Sequence, residues 1–189
     1  MLIKICGVKD YDTAYFAATH GADMVGIVLY PNSKRHVDLP LAREIAAATV
    51  KGGALPVLVF KDASASDVLT ACETLGIYTV QLHGTAPPLP DSYVRILANG
   101  SSSQIRADTE FLLFDNAEPG SGVTFDWASF VPPTGVKWIL SGGLTTENVV
   151  EAIHLLKPDG VDVSSGVERD GSKQKLLIEQ FIEKVRNYE

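Results

Sequence analysis

Short apolar runs alternate with longer stretches whose apolar residues fall on one side only, and this alternation continues to the end of the chain. Most of the runs are continuously apolar, which is typical of parallel strands covered by helices on their outer face. The predicted strands are Leu2–Cys6, Met24–Leu29, Leu55–Phe60, Tyr78–Leu82, Tyr93–Leu97, Phe111–Phe114, Lys137–Leu140 and Gly160–Val163. Repeated alternation of strand and helix predicts a parallel sheet.

Several of the intervening stretches have the edges and the periodicity of amphipathic helices. Capping residues begin or end them, and apolar side chains recur every three or four positions on one face. The residues concerned are Asp12 to His20 with Gly21 at the end, Asp38 with Leu41, Ile45 and Ala48, Val68 with Cys72, Leu75 and Gly76, Thr145 or Thr146 with Val149, Ile153 and Leu156, and Leu177 with Phe181 and Val185.

Eight strands alternating with helices fit a single closed α/β domain, the (β/α)8 or TIM barrel, over residues 1–189. An open, doubly wound sheet is the competing topology. Because 189 residues fall below the usual barrel length of about 200 or more, some helices must be short or missing. Thr85–Ser92 holds three prolines, and Asn99–Asp108 is polar and rich in Gly and Ser. We therefore expect the fourth and fifth helices to be shortened or replaced by loops.

Composition narrows the class of protein and its partners. An apolar fraction of 46% is ordinary for a globular chain, and a formal charge of −7 opposes binding to nucleic acid or acidic membrane surfaces. The N-terminal residues lack the pattern of a secretory signal, and no segment has the roughly 20 apolar residues of a membrane span. Cys6 and Cys72 form no metal-ligand pair. We expect a cytoplasmic protein whose thiols are reduced.

The first and last predicted strands place charged groups and a thiol on one face. Side chains alternate along a strand, so Lys4 and Cys6 share a face, as do Asp162 and Ser164. Barrel closure makes these two strands neighbours, which predicts an ion pair between Lys4 and Asp162. On position alone, Cys6 is either a small buried hydrophobe or a functional thiol.

Polar residues also follow the fourth, sixth and second strands. Gln81 and His83 share a face, where a structural histidine and a ligand contact are both open. Asp115 follows four large apolar residues, where an unpaired carboxylate is costly, so it either begins a turn or has a function. Lys34 and Arg35 form either a solvated loop or a cation site for an anionic group, since a guanidinium binds a carboxylate in bidentate fashion.

Small residues after the seventh and eighth strands predict a phosphate site. They let backbone N–H groups approach an anion, and phosphate sites after these two strands recur among barrel enzymes. Tight turns without a ligand are the alternative interpretation. The two segments are Ser141-Gly142-Gly143 and Ser164-Ser165-Gly166.

The order and spacing of these segments together resemble phosphoribosylanthranilate isomerase of tryptophan biosynthesis. The match covers nearly the whole chain, and each of its pieces alone is modest. The pieces are Lys4-Ile5-Cys6-Gly7, Gly21-Ala22-Asp23, Pro31 to Arg35, Val59-Phe60, Gln81-Leu82-His83-Gly84, Gly120-Ser121-Gly122 with Phe125-Asp126-Trp127, Ser141-Gly142-Gly143-Leu144 with Glu147-Asn148-Val149, and Val161-Asp162-Val163-Ser164-Ser165-Gly166-Val167-Glu168.

The resemblance implies a role for most of the candidate residues. Cys6 is the implied general base, Asp115 the general acid, and Arg35 the partner of the anthranilate carboxylate. The resemblance places the backbone near Gly142, Gly143, Ser164, Ser165 and Gly166 around the substrate phosphate. His83 is a further candidate for substrate binding on its position in the strand alone, and a structural role stays open for it.

The implied reaction is an Amadori rearrangement of N-(5-phosphoribosyl)anthranilate to 1-(2-carboxyphenylamino)-1-deoxyribulose 5-phosphate, without a metal or organic cofactor. Ring opening needs a proton on the furanose oxygen, which a carboxylic acid kept protonated by apolar neighbours can deliver. A thiolate can then take the proton from sugar C2 if positive potential lowers its pKa. The resemblance implies a small phosphoribosyl molecule as the ligand, and the sequence leaves monomer and homodimer open.

At two positions of the second predicted strand the sequence departs from the family. Ile27 and Leu29 replace aromatic residues often seen in this family, so we expect altered packing around the aromatic ring of the substrate.

Two other functions are alternatives. The first is another phosphosugar-barrel isomerase, of the histidine pathway or bifunctional, but those enzymes resemble a design with an aspartate at the position of Cys6. The second is a non-catalytic phosphate-binding module, which would not require both Cys6 and Asp115.

Overall fold

The computed structural model describes residues 1–99, 110–115, 127 and 129–188. Eight parallel strands pair in chain order, and the first also pairs with the eighth, so the sheet closes into a (β/α)8 barrel rather than an open sheet. The strands are β1 (Leu2–Cys6), β2 (Met24–Val28), β3 (Leu55–Lys61), β4 (Thr79–His83), β5 (Val94–Ala98), β6 (Phe111–Phe114), β7 (Trp138–Leu140) and β8 (Gly160–Val163).

The described helices lie where the periodicity predicts them. They are α1 (Tyr11–Thr19), α2 (Leu39–Lys51), α3 (Ala65–Leu75), α4 (Val149–Leu156) and α5 (Lys175–Tyr188). The carboxylates of Asp10 and Asp38 cap α1 and α2, and Gly76 ends α3 in the left-handed conformation at φ 69°. Among the described residues, no helix is both long and apolar enough to cross a membrane.

The predicted start of α4 is wrong by several residues. The helix begins at Val149, and Thr146 to Asn148 form a turn instead. The Asn148 side chain explains the difference, since its Oδ1 accepts from the Thr145 N–H at 2.8 Å and its Nδ2 donates to the Gly143 carbonyl at 2.9 Å. A side chain that bonds to nearby backbone in this way competes with helix formation.

The fourth helix is replaced by a loop, as the prolines predict. Residues 84–93 are all described and contain no helix. In its place, Tyr78 and Tyr93 pack edge to face with ring centroids 5.3 Å apart. The segment of the fifth helix, residues 100–109, lies outside the described residues, as do the motif residues Gly120 to Gly122, Phe125 and Asp126.

Side chains alternate between the barrel interior and the layer under the helices. Ile3 and Ile5 are fully buried against the helices, while Lys4 and Cys6 point inward, as predicted. An apolar layer fills the N-terminal end of the interior and consists of Met24, Val57, Ile96, Leu113 and Ile139. The polar inward residues therefore lie above this layer, toward the C-terminal ends of the strands.

Candidate active site

A cavity of about 300 Å³ opens at the C-terminal ends of the barrel strands. It brings together Cys6 from β1 and Asp115 from the end of β6, the two residues predicted to do the chemistry. Arg35, His83, Gly142, Gly143, Ser164 and Ser165 also line it, together with Tyr30, Lys34, Lys61, Gln81, Ser141 and Asp162. A cavity at this end of a barrel is where enzymes of this fold place their chemistry.

The Cys6 thiol lies next to a buried ion pair. Lys4 donates to Asp162 at 2.9 Å, with side chains only 1% and 4% exposed, so the predicted pair is present. The Ser141 hydroxyl donates to the other oxygen of Asp162 at 3.2 Å. Burial raises the pKa of the Cys6 thiol, and the Lys4 ammonium opposes that rise. Among the charged groups Lys4 most favours the thiolate, but burial has the larger effect and the pKa of Cys6 stays above its ordinary value.

Asp115 stands at the opposite wall of this cavity, directly after β6. Its backbone N–H donates to the Asn99 side-chain oxygen at 3.0 Å, and Asn99 itself has a positive φ of 52°. This contact fixes the backbone from which the carboxyl group projects. The general-acid role of Asp115 stays a prediction, as does the general-base role of Cys6.

Gln81 and His83 form a hydrogen-bonded pair on the wall supplied by β4. The two Nε2 atoms are 2.7 Å apart, and because an amide nitrogen only donates, His83 accepts at Nε2 and carries its proton on Nδ1. Burial and the Lys4 charge lower the pKa of His83 to about 4, so the ring is neutral. The Gln81 carbonyl oxygen is buried and has no hydrogen-bond partner among the described residues. Substrate contact by His83 stays a prediction.

The two small-residue loops differ in how they meet the cavity. Gly142 and Gly143 both have positive φ, 85° and 66°, and line the cavity with their backbone. Gly166 is not among the lining residues. A Cβ at Gly166 would lie 1.9 Å from the Leu144 carbonyl oxygen, so this glycine lets the loop after β8 pack against the loop after β7. Its predicted contact with phosphate stays a prediction.

Arg35 is held by a carboxylate of the protein itself. Its Nε and Nη2 donate to the two oxygens of Glu168, each at 2.7 Å, and Lys173 donates to Glu168 at 2.8 Å. Burial alone would raise the pKa of Glu168, but these hydrogen bonds outweigh it and lower the pKa to about 2. The bidentate fork predicted for a substrate carboxylate is therefore occupied by Glu168, while Nη1 makes no hydrogen bond to described residues.

Lys173 belongs to the same network and is not among the residues predicted from the sequence. Its side chain is 3% exposed, and its ammonium donates to the Ser164 carbonyl at 2.9 Å and to the Ser164 hydroxyl at 3.2 Å. That hydroxyl in turn donates to the Cys6 carbonyl at 3.0 Å. Burial lowers the pKa of Lys173 to about 8, with Glu168 opposing. The network joins the loop after β8 to the strand that carries the thiol.

A two-stranded hairpin delivers Lys173 to the site. Its strands are β9 (Glu168–Arg169) and β10 (Ser172–Lys173), which pair antiparallel. Asp170 and Gly171 form the turn with positive φ values of 51° and 74°. An Asp-Gly pair between short strands is a strong hairpin signal, so the sequence did hold a signal that returns Lys173 toward Glu168.

The expectation for Ile27 and Leu29 is wrong. Ile27 is fully buried on the helix side of the barrel, and Leu29 packs against the same outer core. Neither residue lines the cavity; the lining residues from this part of the chain are Val28 and Tyr30. The two substitutions therefore do not touch the space that would hold an aromatic ring.

Comparison with known proteins identifies relatives over nearly the whole chain. Residues 3–184 match the family model of N-(5'phosphoribosyl)anthranilate (PRA) isomerase. The N-(5'-phosphoribosyl)anthranilate isomerase of Chlamydia caviae is 37% identical, over 96% of this chain and 95% of its own length. The solved phosphoribosyl anthranilate isomerase of Thermus thermophilus superposes with a TM-score of 0.83 at 31% identity and covers 100% of both chains.

A third relative was solved with a ligand. This phosphoribosyl anthranilate isomerase, in complex with reduced 1-(o-carboxyphenylamino)-1-deoxyribulose 5-phosphate, is 30% identical with a TM-score of 0.76. The match covers 99% of this chain and 100% of that one. Sequence and fold agree, and the chain belongs to the N-(5'-phosphoribosyl)anthranilate isomerase family.

Proposed function

We propose that this chain isomerises N-(5-phosphoribosyl)anthranilate to 1-(2-carboxyphenylamino)-1-deoxyribulose 5-phosphate, with Cys6 as general base and Asp115 as general acid. The observation that carries the assignment of roles is that both residues line one cavity, from β1 and from the end of β6. A cavity of about 300 Å³ is large enough for one small substrate.

Asp115 opens the sugar ring in this proposal. Its carboxyl group gives a proton to the furanose oxygen, the bond from that oxygen to C1 breaks, and the nitrogen lone pair forms the C1=N bond of a protonated Schiff base. Proton transfer by a positioned acid typically contributes about 10²–10⁴-fold to the rate.

Cys6 carries out the second proton transfer. The thiolate takes the proton from sugar C2, the C–H electrons form a C1=C2 double bond, and the Schiff-base nitrogen becomes neutral. The enolamine that results becomes the ketone when C1 gains a proton and the C2 hydroxyl loses one.

The two ends of the substrate meet different parts of the cavity. The backbone of Gly142 and Gly143 suits the phosphate. In the loop after β8, the backbone N–H groups of Ser164 and Ser165 suit it, because the Ser164 hydroxyl is already hydrogen-bonded to Cys6 and Lys173. Two cations of the lining, Lys34 and the Nη1 edge of Arg35, suit the anthranilate carboxylate. Anchors at both ends position the reacting carbon between base and acid.

The unpartnered oxygen of Gln81 suits a sugar hydroxyl. It is a buried acceptor on the cavity wall, where a buried polar atom without a partner is costly. A ribose hydroxyl can donate to it, while the Nδ1–H of His83 can donate to a substrate oxygen.

The direct test is to generate N-(5-phosphoribosyl)anthranilate in situ and follow the loss of its fluorescence after the pure protein is added. We expect turnover that is proportional to enzyme concentration and continues past one equivalent of substrate per chain. A stoichiometric fluorescence change without turnover would instead indicate a binding module and contradict the proposal.

We also propose that the protein works in the cytoplasm. Both cysteines of the chain, Cys6 and Cys72, are free thiols, as expected in a reducing compartment. Fractionation of cells that express the tagged chain is expected to place it with cytoplasmic markers; recovery with an exported or organelle fraction would contradict this location.

A further inference from the structure

The thiol and the ammonium of β1 meet over a strand position that has no side chain. Cys6 pairs in register with Gly26 of β2. A Cβ built at Gly26 would lie 2.7 Å from the Cys6 sulfur and 3.0 Å from Lys4 Nζ. The two groups are therefore neighbours across the space that any residue larger than glycine would fill.

Lys4 is positively charged in this position although its side chain is 1% exposed. Burial would lower its pKa, but Asp162 at 2.9 Å and the Cys6 sulfur outweigh burial and raise it. A buried cation of this kind requires an anionic partner. Asp162 supplies one, and ionised Cys6 would supply a second.

Other charged groups face the thiol from the surrounding elements. Asp162 of β8 opposes ionisation of Cys6, and Lys173 of β10 favours it. Arg35, in the loop after β2, interacts with the thiol but is neutralised in part by Glu168. Among the groups that favour the thiolate, Lys4 has the largest effect.

We propose that Lys4 is a positioning residue that keeps the base Cys6 able to ionise, and that Gly26 is required because it leaves their contact open. The inference rests on the proposed function only for its consequence on turnover. The coupling of ammonium to thiol can be measured without substrate.

The test is the rate of alkylation of Cys6 by iodoacetamide as a function of pH, read by peptide mass spectrometry. The method separates Cys6 from Cys72, whose pKa burial raises to about 12. Because Lys4→Met alone leaves Asp162 as an unpaired buried charge, the double variant Lys4→Met/Asp162→Asn is compared with it. Lys51→Met, an exposed change at the end of α2, is the control.

In the double variant we expect alkylation of Cys6 at pH 7 to slow by about tenfold or more, because each unit of pKa is a tenfold change in thiolate. Gly26→Ala is expected to slow it as well, and Lys51→Met to leave it unchanged. Turnover is expected to fall with the thiolate fraction and to recover toward wild type as the pH is raised, a recovery that purely structural damage would not give.

Two results separate the inference from the proposed function. If the folded double variant alkylates at wild-type rate across the pH range, Lys4 does not support the thiolate, and the inference is wrong even where the wild type turns over substrate. If alkylation slows as expected and the wild type has no isomerase activity, the coupling stands and the proposed function fails.

Discussion

Buried cations in and next to the cavity lie beside the groups expected to bear negative charge. Lys4 adjoins Cys6, and Arg35 and Lys173 adjoin Glu168. Both arrangements are nearly shielded from water, where opposite charges interact more strongly than at the surface. Each of these negatively charged groups therefore has a cation beside it.

The turnover number is expected to rise with pH between about 7 and 9, because the base acts as a thiolate and burial raises the pKa of Cys6 above its ordinary value. Each pH unit below that pKa removes about nine-tenths of the thiolate. Measuring kcat at saturating substrate as a function of pH tests this. A kcat that is flat or falls over this range would contradict the thiolate mechanism.

Replacing Arg35 with Ala is expected to raise KM by about 10- to 100-fold with a smaller change in kcat, since a hydrogen bond to a charged group contributes about 1.5–3 kcal/mol. Steady-state kinetics provide the measurement. Arg43→Ala is the control, because Arg43 lies on the exposed side of α2 and donates to the Thr74 carbonyl. Unchanged KM and kcat in Arg35→Ala would remove Arg35 from substrate binding.

At the scale of elements, the loop after β8 connects the chemistry to the phosphate site. Ser164 bonds to the Cys6 carbonyl, Lys173 bonds to Ser164, and Gly166 packs directly on the loop after β7. Two predicted phosphate loops are thereby fixed to each other and to the strand that carries the thiol. Displacing one of them is expected to disturb the other.

Gly166→Ala tests this close packing. The added Cβ would lie 1.9 Å from the Leu144 oxygen, which is backbone and cannot move away alone. We expect the free energy of unfolding to fall by about 1–3 kcal/mol, as overpacking does, and KM for the phosphorylated substrate to rise. Denaturant unfolding and steady-state kinetics measure the two effects. Wild-type stability together with wild-type KM would show that the two loops are not coupled.

Much of the barrel was predictable because its signals are local. Continuous apolar runs gave all eight strands to within one or two residues at each end, and the prolines after β4 predicted the missing helix. The inward pair of Lys4 and Asp162 followed from the alternation of side chains and barrel closure. These features depend on spacing along one or two elements only.

What the sequence did not predict depends on contacts between distant segments. Glu168 pairs with the Arg35 guanidinium although the two residues are 133 positions apart in the chain, and no pattern in either segment predicts that pairing. The start of α4 shifted because the Asn148 side chain bonds to its own loop, a competition that capping rules alone do not resolve. Ile27 lies outside the cavity because Gly26 and Val28 are the inward positions of β2, so the residue between them faces the helices.

At the scale of the whole molecule, the ends of the chain are joined to the barrel. Arg186 of α5 donates to the Met1 and Gly21 carbonyls, each at 2.8 Å, and to Asp23 at 2.7 Å. Asp23 also accepts from the Ile3 N–H at 2.7 Å. The last helix thus closes over the start of β1. We propose that residues 1–189 form one domain.

A single domain is expected to unfold in one cooperative transition. Tryptophan fluorescence, which reports on Trp127 and on Trp138, 4% exposed on β7, and far-UV circular dichroism are expected to give the same denaturation midpoint. Two separated transitions, or midpoints that differ between the two probes, would show that part of the barrel unfolds independently.

The proposed mechanism depends on a thiol and a carboxyl group that act on one bound sugar. The kcat values of Cys6→Ala and Asp115→Asn test this mechanism most directly. Each variant is expected to lose about 10²-fold or more in kcat. Its circular dichroism spectrum is expected to match that of the wild type, and its denaturation midpoint to change only as much as a substitution in a cavity wall changes it. A well-folded Cys6→Ala or Asp115→Asn enzyme with near-wild-type kcat would contradict the assigned role of that residue.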